Sequence, residues 1–177
     1  MPEHIPSSDR HCWILGEIAQ AHVSSDNMPD SVAEVEYSIY LEFKSEDTVV
    51  RNKLGMVYYR LNKLEESVRE FTRVLQSDPK NYDALDGMGL VKAAQQDFAA
   101  AISWHRQAIA VNADDMMGYY HLGSALEKKG GLSEALEAYR AALARFTALY
   151  PPGTEKAEAA EFGETVRSAI RNIESRL

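Results

Sequence analysis

The feature that most constrains this chain is a repeat of 34 residues. A leucine or methionine followed by glycine recurs at this interval, at Leu54-Gly55, Met88-Gly89 and Leu122-Gly123. Small residues recur at the same interval further along, at Ser67, Ala101 and Ala135. Three consecutive copies define units at 48–81, 82–115 and 116–149. A period of this length predicts a stack of similar supersecondary units that share one continuous core.

Each unit is predicted to be an antiparallel pair of helices. In the first unit Leu54 and Tyr58, and then Phe71 and Val74, follow the three-to-four-residue spacing of a helix with one apolar face. Short breakers such as Gly130-Gly131 separate the two halves of a unit, and proline or acidic residues close it. The fold class expected from the repeat is therefore all-α.

The units resemble the tetratricopeptide repeat, whose pattern is W-x2-L-G-x2-Y, then A-x3-F, then P. The first unit matches this pattern at Leu54-Gly55, Tyr58, Phe71 and Pro79, and the third at Tyr119, Leu122-Gly123, Ala135 and Tyr139. The second unit departs from it at Lys92, His105 and Ala113, and Thr147 replaces the proline of the third. The resemblance implies a right-handed superhelical stack of helix pairs, which in this family commonly holds a peptide in its concave groove.

Both ends of the chain extend this organisation into one continuous domain. Residues 1–8 are expected to be a flexible N-terminus, and 9–47 a degenerate helix pair with a longer loop at 23–30. Residues 150–177 are expected to form a linker and a helix that caps the stack, because a terminal repeat leaves an apolar face open. Its predicted packing stripe comprises Phe162, Val166, Ala169, Ile170 and Ile173.

The triplet Trp104-His105-Arg106 could be catalytic, could stack a nucleotide, or could be part of the core. His105 occupies the place of Phe71 and Tyr139, which favours a half-buried residue packed between two helices. No carboxylate lies one turn away to orient it, and we expect phenylalanine to be tolerated there. Trp104 is expected to be partly exposed at the flank of the packing face, either contacting a partner or covering neighbouring side chains. Arg106 is expected at the surface.

No pattern of residues indicates catalysis, a cofactor or a metal site. The five histidines (His4, His11, His22, His105 and His121) form no zinc-ligand spacing, and no phosphate-binding loop or nucleophile motif is present. A net charge of −8 disfavours nucleic acid or an anionic membrane as the partner. A single cysteine, Cys12, and the lack of a long apolar run favour the cytoplasm.

A surface for binding another protein is the expected functional feature. A step of 100° per residue turns one set of first-helix positions away from the packing face. In stacked helix pairs this set lines the groove, and it comprises Trp13, Asn52, Lys53, Met56, Tyr59, Arg60, Asp83, Asp86, Leu90, Met117, Tyr120, His121 and Ser124. Apolar side chains among both signs of charge suit an amphipathic peptide. The groove could instead be covered by the N-terminus or by a second copy in a homo-oligomer.

The expected function is a binding module or scaffold without catalysis. The alternatives are a dedicated chaperone for a secreted or assembling client, and a regulatory subunit of an enzyme complex. One subfamily is excluded by its residues. Chaperone-binding members hold a C-terminal carboxylate with a Lys, Asn, Asn, Lys, Arg clamp, and the corresponding positions of 48–149 carry Asn52, Met56, Gly87, Met117 and His121.

Overall fold

A computed structural model describes residues 28–151 and 157–177, and these form an all-helical fold. The helices are α1 (Asp30–Phe43), α2 (Thr48–Arg60), α3 (Leu64–Ser77), α4 (Tyr82–Ala94), α5 (Phe98–Val111), α6 (Met116–Lys129), α7 (Leu132–Leu149) and α8 (Ala157–Glu174). No strand occurs among the described residues, which confirms the predicted fold class. Trp13 and the first half of the predicted 9–47 pair lie outside them. Within the described ranges, no helix has the length and apolarity that a membrane span requires.

Polar side chains fix where several helices begin. The residue before the helix accepts a hydrogen bond from an amide of the first turn at Asp47, Asn81, Asp97 and Asp115, which precede α2, α4, α5 and α6. Such a bond satisfies a helical N–H group that has no partner within the helix. At the start of α1, Pro29 occupies the N-cap position and no side chain caps the helix. At the other end of α6, Gly130 adopts φ +92, a conformation that favours glycine.

Each helix pair is closed by a glycine that lies against a ring of the second helix. A Cβ added at Gly55 would lie 2.7 Å from the ring of Phe71, and one added at Gly89 would lie 2.4 Å from the ring of His105. His105 is only 1% exposed. The prediction that His105 packs between two helices is therefore confirmed, although it is fully rather than half buried.

The described helices group into two compact units, the first containing α1 to α3 and ending at Pro79, the second beginning at Lys80 and containing α4 to α8. In the first unit, α1 packs on α2 through buried apolar residues of both helices. This core contains Ala33, Tyr37, Tyr40, Leu41, Val50, Leu54 and Val57. Two ion pairs add to the contacts of α1, because Asp30 binds Arg60 at the end of α2 and Glu34 binds Lys63, which precedes α3. The burial of Ala33, Tyr37 and Tyr40 matches that of Ser67, Phe71 and Val74, which lie 34 residues further along the chain.

In the second unit, α8 covers the last helix pair. Val166 and Ile173 are fully buried, and Phe162, Ala169 and Ile170 pack against the same core, which also contains Leu136 and Tyr139. All five residues of the predicted stripe therefore face the stack. Gly163 lies close to the ring of Phe146 on α7, where a Cβ would stand 2.6 Å away. This helix thus acts as the predicted cap.

Candidate functional site

A buried carboxylate joins three helices of the second unit. One oxygen of Asp86 on α4 lies 2.7 Å from Nδ1 of His105 on α5, and the other lies 2.8 Å from Nδ1 of His121 on α6. Asp86 is 7% exposed, and the side chain of His121 is 17% exposed. The two imidazole rings are 5.5 Å apart. We refer to these residues as the Asp86–His105–His121 cluster.

The cluster keeps Asp86 ionised. Burial acts to raise the pKa of the Asp86 carboxyl, but the hydrogen bonds from His105 and His121, together with their charge, outweigh it and hold the pKa well below its usual range. A buried carboxylate is tolerated in a helical core only when its oxygens are satisfied in this way. The Asp86 carboxylate therefore has a defined ionic state as well as a defined geometry.

The positions of Asp86 and His105 correspond to a contacting pair in the following repeat. Tyr120 and Tyr139 lie 34 residues further along, and their ring centroids are 5.7 Å apart. Asn52 occupies the matching position in the first unit and is 6% exposed. Asn52 and Asp86 are therefore buried rather than open to a groove, which corrects the prediction for these two residues, whereas Tyr120 is partly exposed. Asp86 and Tyr120 each contact the second helix of their own pair, through His105 and Tyr139 respectively.

Tyr120 is further enclosed by the capping helix. Its ring lies edge-on to that of Phe162, with 5.6 Å between centroids and an interplanar angle of 70°. Both rings pack against the core of the second unit. Tyr120 consequently contributes to the attachment of α8, and the expectation that its side chain has little part in packing is wrong.

Four predicted groove residues remain accessible beside the cluster. Asp83 and Leu90 lie one turn before and after Asp86 on α4, while Met117 and Ser124 lie one turn to either side of His121 on α6. Asp83 is exposed and the other three are partly exposed. Because Asp86 and His121 are bonded to each other, these neighbours belong to adjoining faces of α4 and α6. Partial burial and the negative charges of Asp86 and Asp115 raise the pKa of Asp83.

In the first unit, the predicted groove residues lie on α2. Lys53, Met56 and Tyr59 are partly exposed. Arg60 is exposed, but its guanidinium donates to both carboxylate oxygens of Asp30 at 2.9 and 3.0 Å. Arg60, which is predicted to line the groove, is therefore already paired with the acid at the start of α1.

The other two residues of the triplet lie where the sequence predicts. Trp104 is partly exposed on α5, and Arg106 is exposed and donates to Glu134 at 2.9 Å. Sequence reasoning missed the acidic partner of His105, because that partner comes from the preceding helix rather than from α5 itself. The available signal was the joint departure of two positions, since Asp86 and His105 occur where the other repeats carry Asn52 with Phe71 and Tyr120 with Tyr139.

The cluster also has the composition of a metal-ligand set. Two imidazole nitrogens and a carboxylate oxygen lie within 4.8 Å of one another in the described part of the chain. Metal-binding sequence motifs cannot reveal such a set, because the two histidines lie 19 and 35 residues from Asp86.

Comparison with known proteins gives consistent matches to repeat proteins. The tetratricopeptide repeat profile matches residues 52–110 and 87–152. A probable peptide N-acetylglucosaminyltransferase, SPINDLY of Hordeum vulgare, is 32% identical over 81 residues. The match covers 46% of this chain but only 9% of that protein.

Two solved structures show the similarity of fold. The type III secretion chaperone SycD of Yersinia enterocolitica, in complex with a peptide of the translocator YopD, superimposes with a TM-score of 0.62 at 20% identity, over 71% of this chain and 91% of that one. The MamA protein gives a TM-score of 0.62 at 17% identity, over 93% of this chain and 91% of the other.

Proposed function

Because this chain belongs to the tetratricopeptide repeat family, we propose that it is a binding module that holds a peptide segment of another protein. The proposed surface in the second unit consists of Asp83, Leu90, Met117 and Ser124, together with the accessible edge of His121. In the first unit the proposed surface is the α2 face that carries Lys53, Met56 and Tyr59. A scaffold role without catalysis, in the cytoplasm, is part of this proposal.

The observation that carries the proposal is the hydrogen bond between Asp86 and His121. It fixes the adjoining faces of α4 and α6, so Leu90 and Met117 are presented on a rigid support rather than on mobile loops. Partly exposed apolar side chains in such a setting suit the anchor residues of a peptide. The exposed carboxylate of Asp83 favours a cationic residue beside that anchor.

A second candidate function is that of a dedicated chaperone. The observation in its favour is the superposition with the secretion chaperone SycD in complex with a peptide of the translocator YopD. In this case the peptide held by the chain would belong to a client that is secreted or assembled later. The two candidates share one surface and differ in what binding does to the partner.

The binding surface can be tested by affinity purification followed by mass spectrometry. We expect the double variant Leu90→Glu/Met117→Glu to lose specific partners that the unaltered chain retains, because the two new carboxylates oppose an apolar anchor. Val111→Glu provides a matched control, since Val111 is 43% exposed and lies outside the proposed surface. Recovery of the same partners with all three proteins would refute the proposed surface.

The two candidate functions can be separated with the partner that this purification identifies. The partner is expressed in bacteria alone and together with this chain. A chaperone is expected to raise the soluble fraction of its client, and the double variant should not do so. A scaffold is expected to leave the solubility of the partner unchanged while binding it equally well.

A further inference from the structure

The Asp86–His105–His121 cluster contains a carboxylate and two imidazoles, which the packing of helices does not require. In the corresponding positions of the next repeat, Tyr120 and Tyr139 fill the same space with two rings. The second repeat instead places a carboxylate between two imidazoles, and both Nδ1 atoms are directed at it. Nitrogen atoms that donate to a common carboxylate become metal ligands when an ion replaces their protons.

The distances suit a small ion with tetrahedral coordination. Zinc binds histidine nitrogen at roughly 2.0–2.1 Å and carboxylate oxygen at about 2.0–2.2 Å, which separates its ligand atoms by roughly 3.3 Å. In the cluster the ligand atoms lie within 4.8 Å of one another, and each imidazole is 2.7 or 2.8 Å from the carboxylate. Two imidazoles on one zinc ion have centroids about 5 Å apart, close to the observed 5.5 Å. Small side-chain shifts would therefore complete the site.

The ligand types select among metals. Imidazole nitrogen favours zinc, cobalt, nickel and copper, whereas magnesium and calcium prefer sites built from oxygen alone. Two histidines and one carboxylate supply three protein ligands, which leaves one coordination position for water or for another group. Asp86 and His105 are buried, whereas His121 is partly exposed. The ion would therefore enter the site from the side of His121.

We propose that the second unit binds one zinc ion through Nδ1 of His105, Nδ1 of His121 and the carboxylate of Asp86. Each imidazole then carries its remaining proton on Nε2. Because the ligands come from α4, α5 and α6, the ion links three successive helices and stabilises the folded unit by mass action. The site uses mainly buried atoms, so its existence does not depend on whether the adjoining surface binds a peptide.

The proposal can be tested by titrating the full-length protein, stripped of metal with a chelator, with zinc chloride or magnesium chloride. Isothermal titration calorimetry is expected to show one equivalent of zinc and no magnesium binding. Zinc in excess is expected to raise the melting temperature by roughly 5 °C or more. Cobalt should give visible absorption bands typical of four-coordinate ions. No stoichiometric zinc binding, or equal binding of magnesium, would overturn the proposal.

Variants locate the ion within the chain. His121→Gln and Asp86→Asn are each expected to weaken zinc binding by about 100-fold or more, since loss of a ligand should exceed the effect of losing an outer-shell contact. The control is the triple variant His4→Gln/His11→Gln/His22→Gln, which should bind zinc as tightly as the unaltered chain. Retained affinity in the two cluster variants, or loss in the triple variant, would refute the assignment.

A spectroscopic measurement keeps the test independent of variant stability. Long-range proton–nitrogen spectra of the unaltered protein report the state of each histidine ring. Zinc is expected to shift the Nδ1 resonances of two histidines and to leave the other three unchanged. Shifts at Nε2, or at a different set of histidines, would show that the ion binds elsewhere.

Discussion

The ring of Tyr139 lies across the backbone of Gly123, so closely that a Cβ at this glycine would stand 2.7 Å from the ring. The same relationship joins Gly55 to Phe71 and Gly89 to His105. In each helix pair, the absence of a side chain on the first helix allows a ring of the second helix to reach its backbone. The glycine of the repeat is therefore needed for a close approach and not for an unusual backbone angle.

Gly123→Ala is expected to lower the free energy of unfolding by about 1–3 kcal/mol, because the methyl group overpacks the contact with Tyr139. Alanine is intrinsically the better helix former by about 1 kcal/mol, so any net loss must come from this contact. Urea unfolding followed by circular dichroism measures the change. Gly131→Ala is the control, since its Cβ would meet nothing closer than 3.6 Å. Equal stability of the two variants would contradict the explanation.

The second prediction revises what the sequence alone suggests for His105. Phenylalanine fits against Gly89 as Phe71 fits against Gly55, but it removes one of the two hydrogen bonds that satisfy Asp86. We expect His105→Phe to cost about 1–3 kcal/mol of stability. The double variant Asp86→Leu/His105→Phe should recover most of this loss, because it removes the buried charge as well.

A double-mutant cycle of these variants measures the coupling, with Asp86→Leu as the fourth protein. The free energies of unfolding are compared in the absence of metal. Additive effects of the two changes would show that the hydrogen bond between Asp86 and His105 contributes nothing.

Tyr120→Ala is expected to destabilise the protein by roughly 3 kcal/mol, because the ring contacts both Tyr139 and Phe162 inside the second unit. Leu90→Ala, on the exposed face of α4, should cost less than about 1 kcal/mol. Thermal unfolding of the two variants gives the comparison. A variant at Tyr120 that unfolds like the unaltered chain would mean that the ring does not help to hold α8.

Val166→Asp is expected to detach the capping helix, since this residue is fully buried against the last helix pair. Burying an unpaired carboxylate there should cost about 3 kcal/mol or more, so release of α8 becomes the less costly outcome. The exposed apolar face should then cause self-association, which size-exclusion chromatography with light scattering detects. Thr165→Asp changes the neighbouring exposed residue, and this variant should elute with the same size as the unaltered protein. The same elution for both variants would contradict the capping role.

The sequence predicts the helices and the cap because both depend on periodic patterns. A 34-residue period aligns Gly89 with Gly55, and it identifies position 105 as the place of the packing ring. The stripe from Phe162 to Ile173 needs only the spacing of a helix. Each of these inferences uses local spacing or comparison between repeats, and none of them requires knowledge of the contacts between helices.

The candidate site could not be derived in the same way. A helical wheel places Asp86 and Tyr120 beside the groove, but it does not show how far the second helix of a pair covers the first. It also cannot detect that the partner of Asp86 on α6 is 35 residues away. Contacts of this kind depend on the stacking of helices, which the period predicts in outline and not at the level of single atoms.

The Asp86–His105–His121 cluster makes one helix pair distinguishable from the others during assembly. Apolar helices with similar faces can dock out of order, which is a characteristic failure of repeat proteins. If α7 replaced α5 beside α4, the carboxylate of Asp86 would meet Tyr139 instead of the imidazole of His105. The carboxylate would then lose one of its two nitrogen partners, at a cost that an apolar residue would not impose. The cluster therefore favours the native order of helices, which leaves both oxygens of the carboxylate hydrogen-bonded.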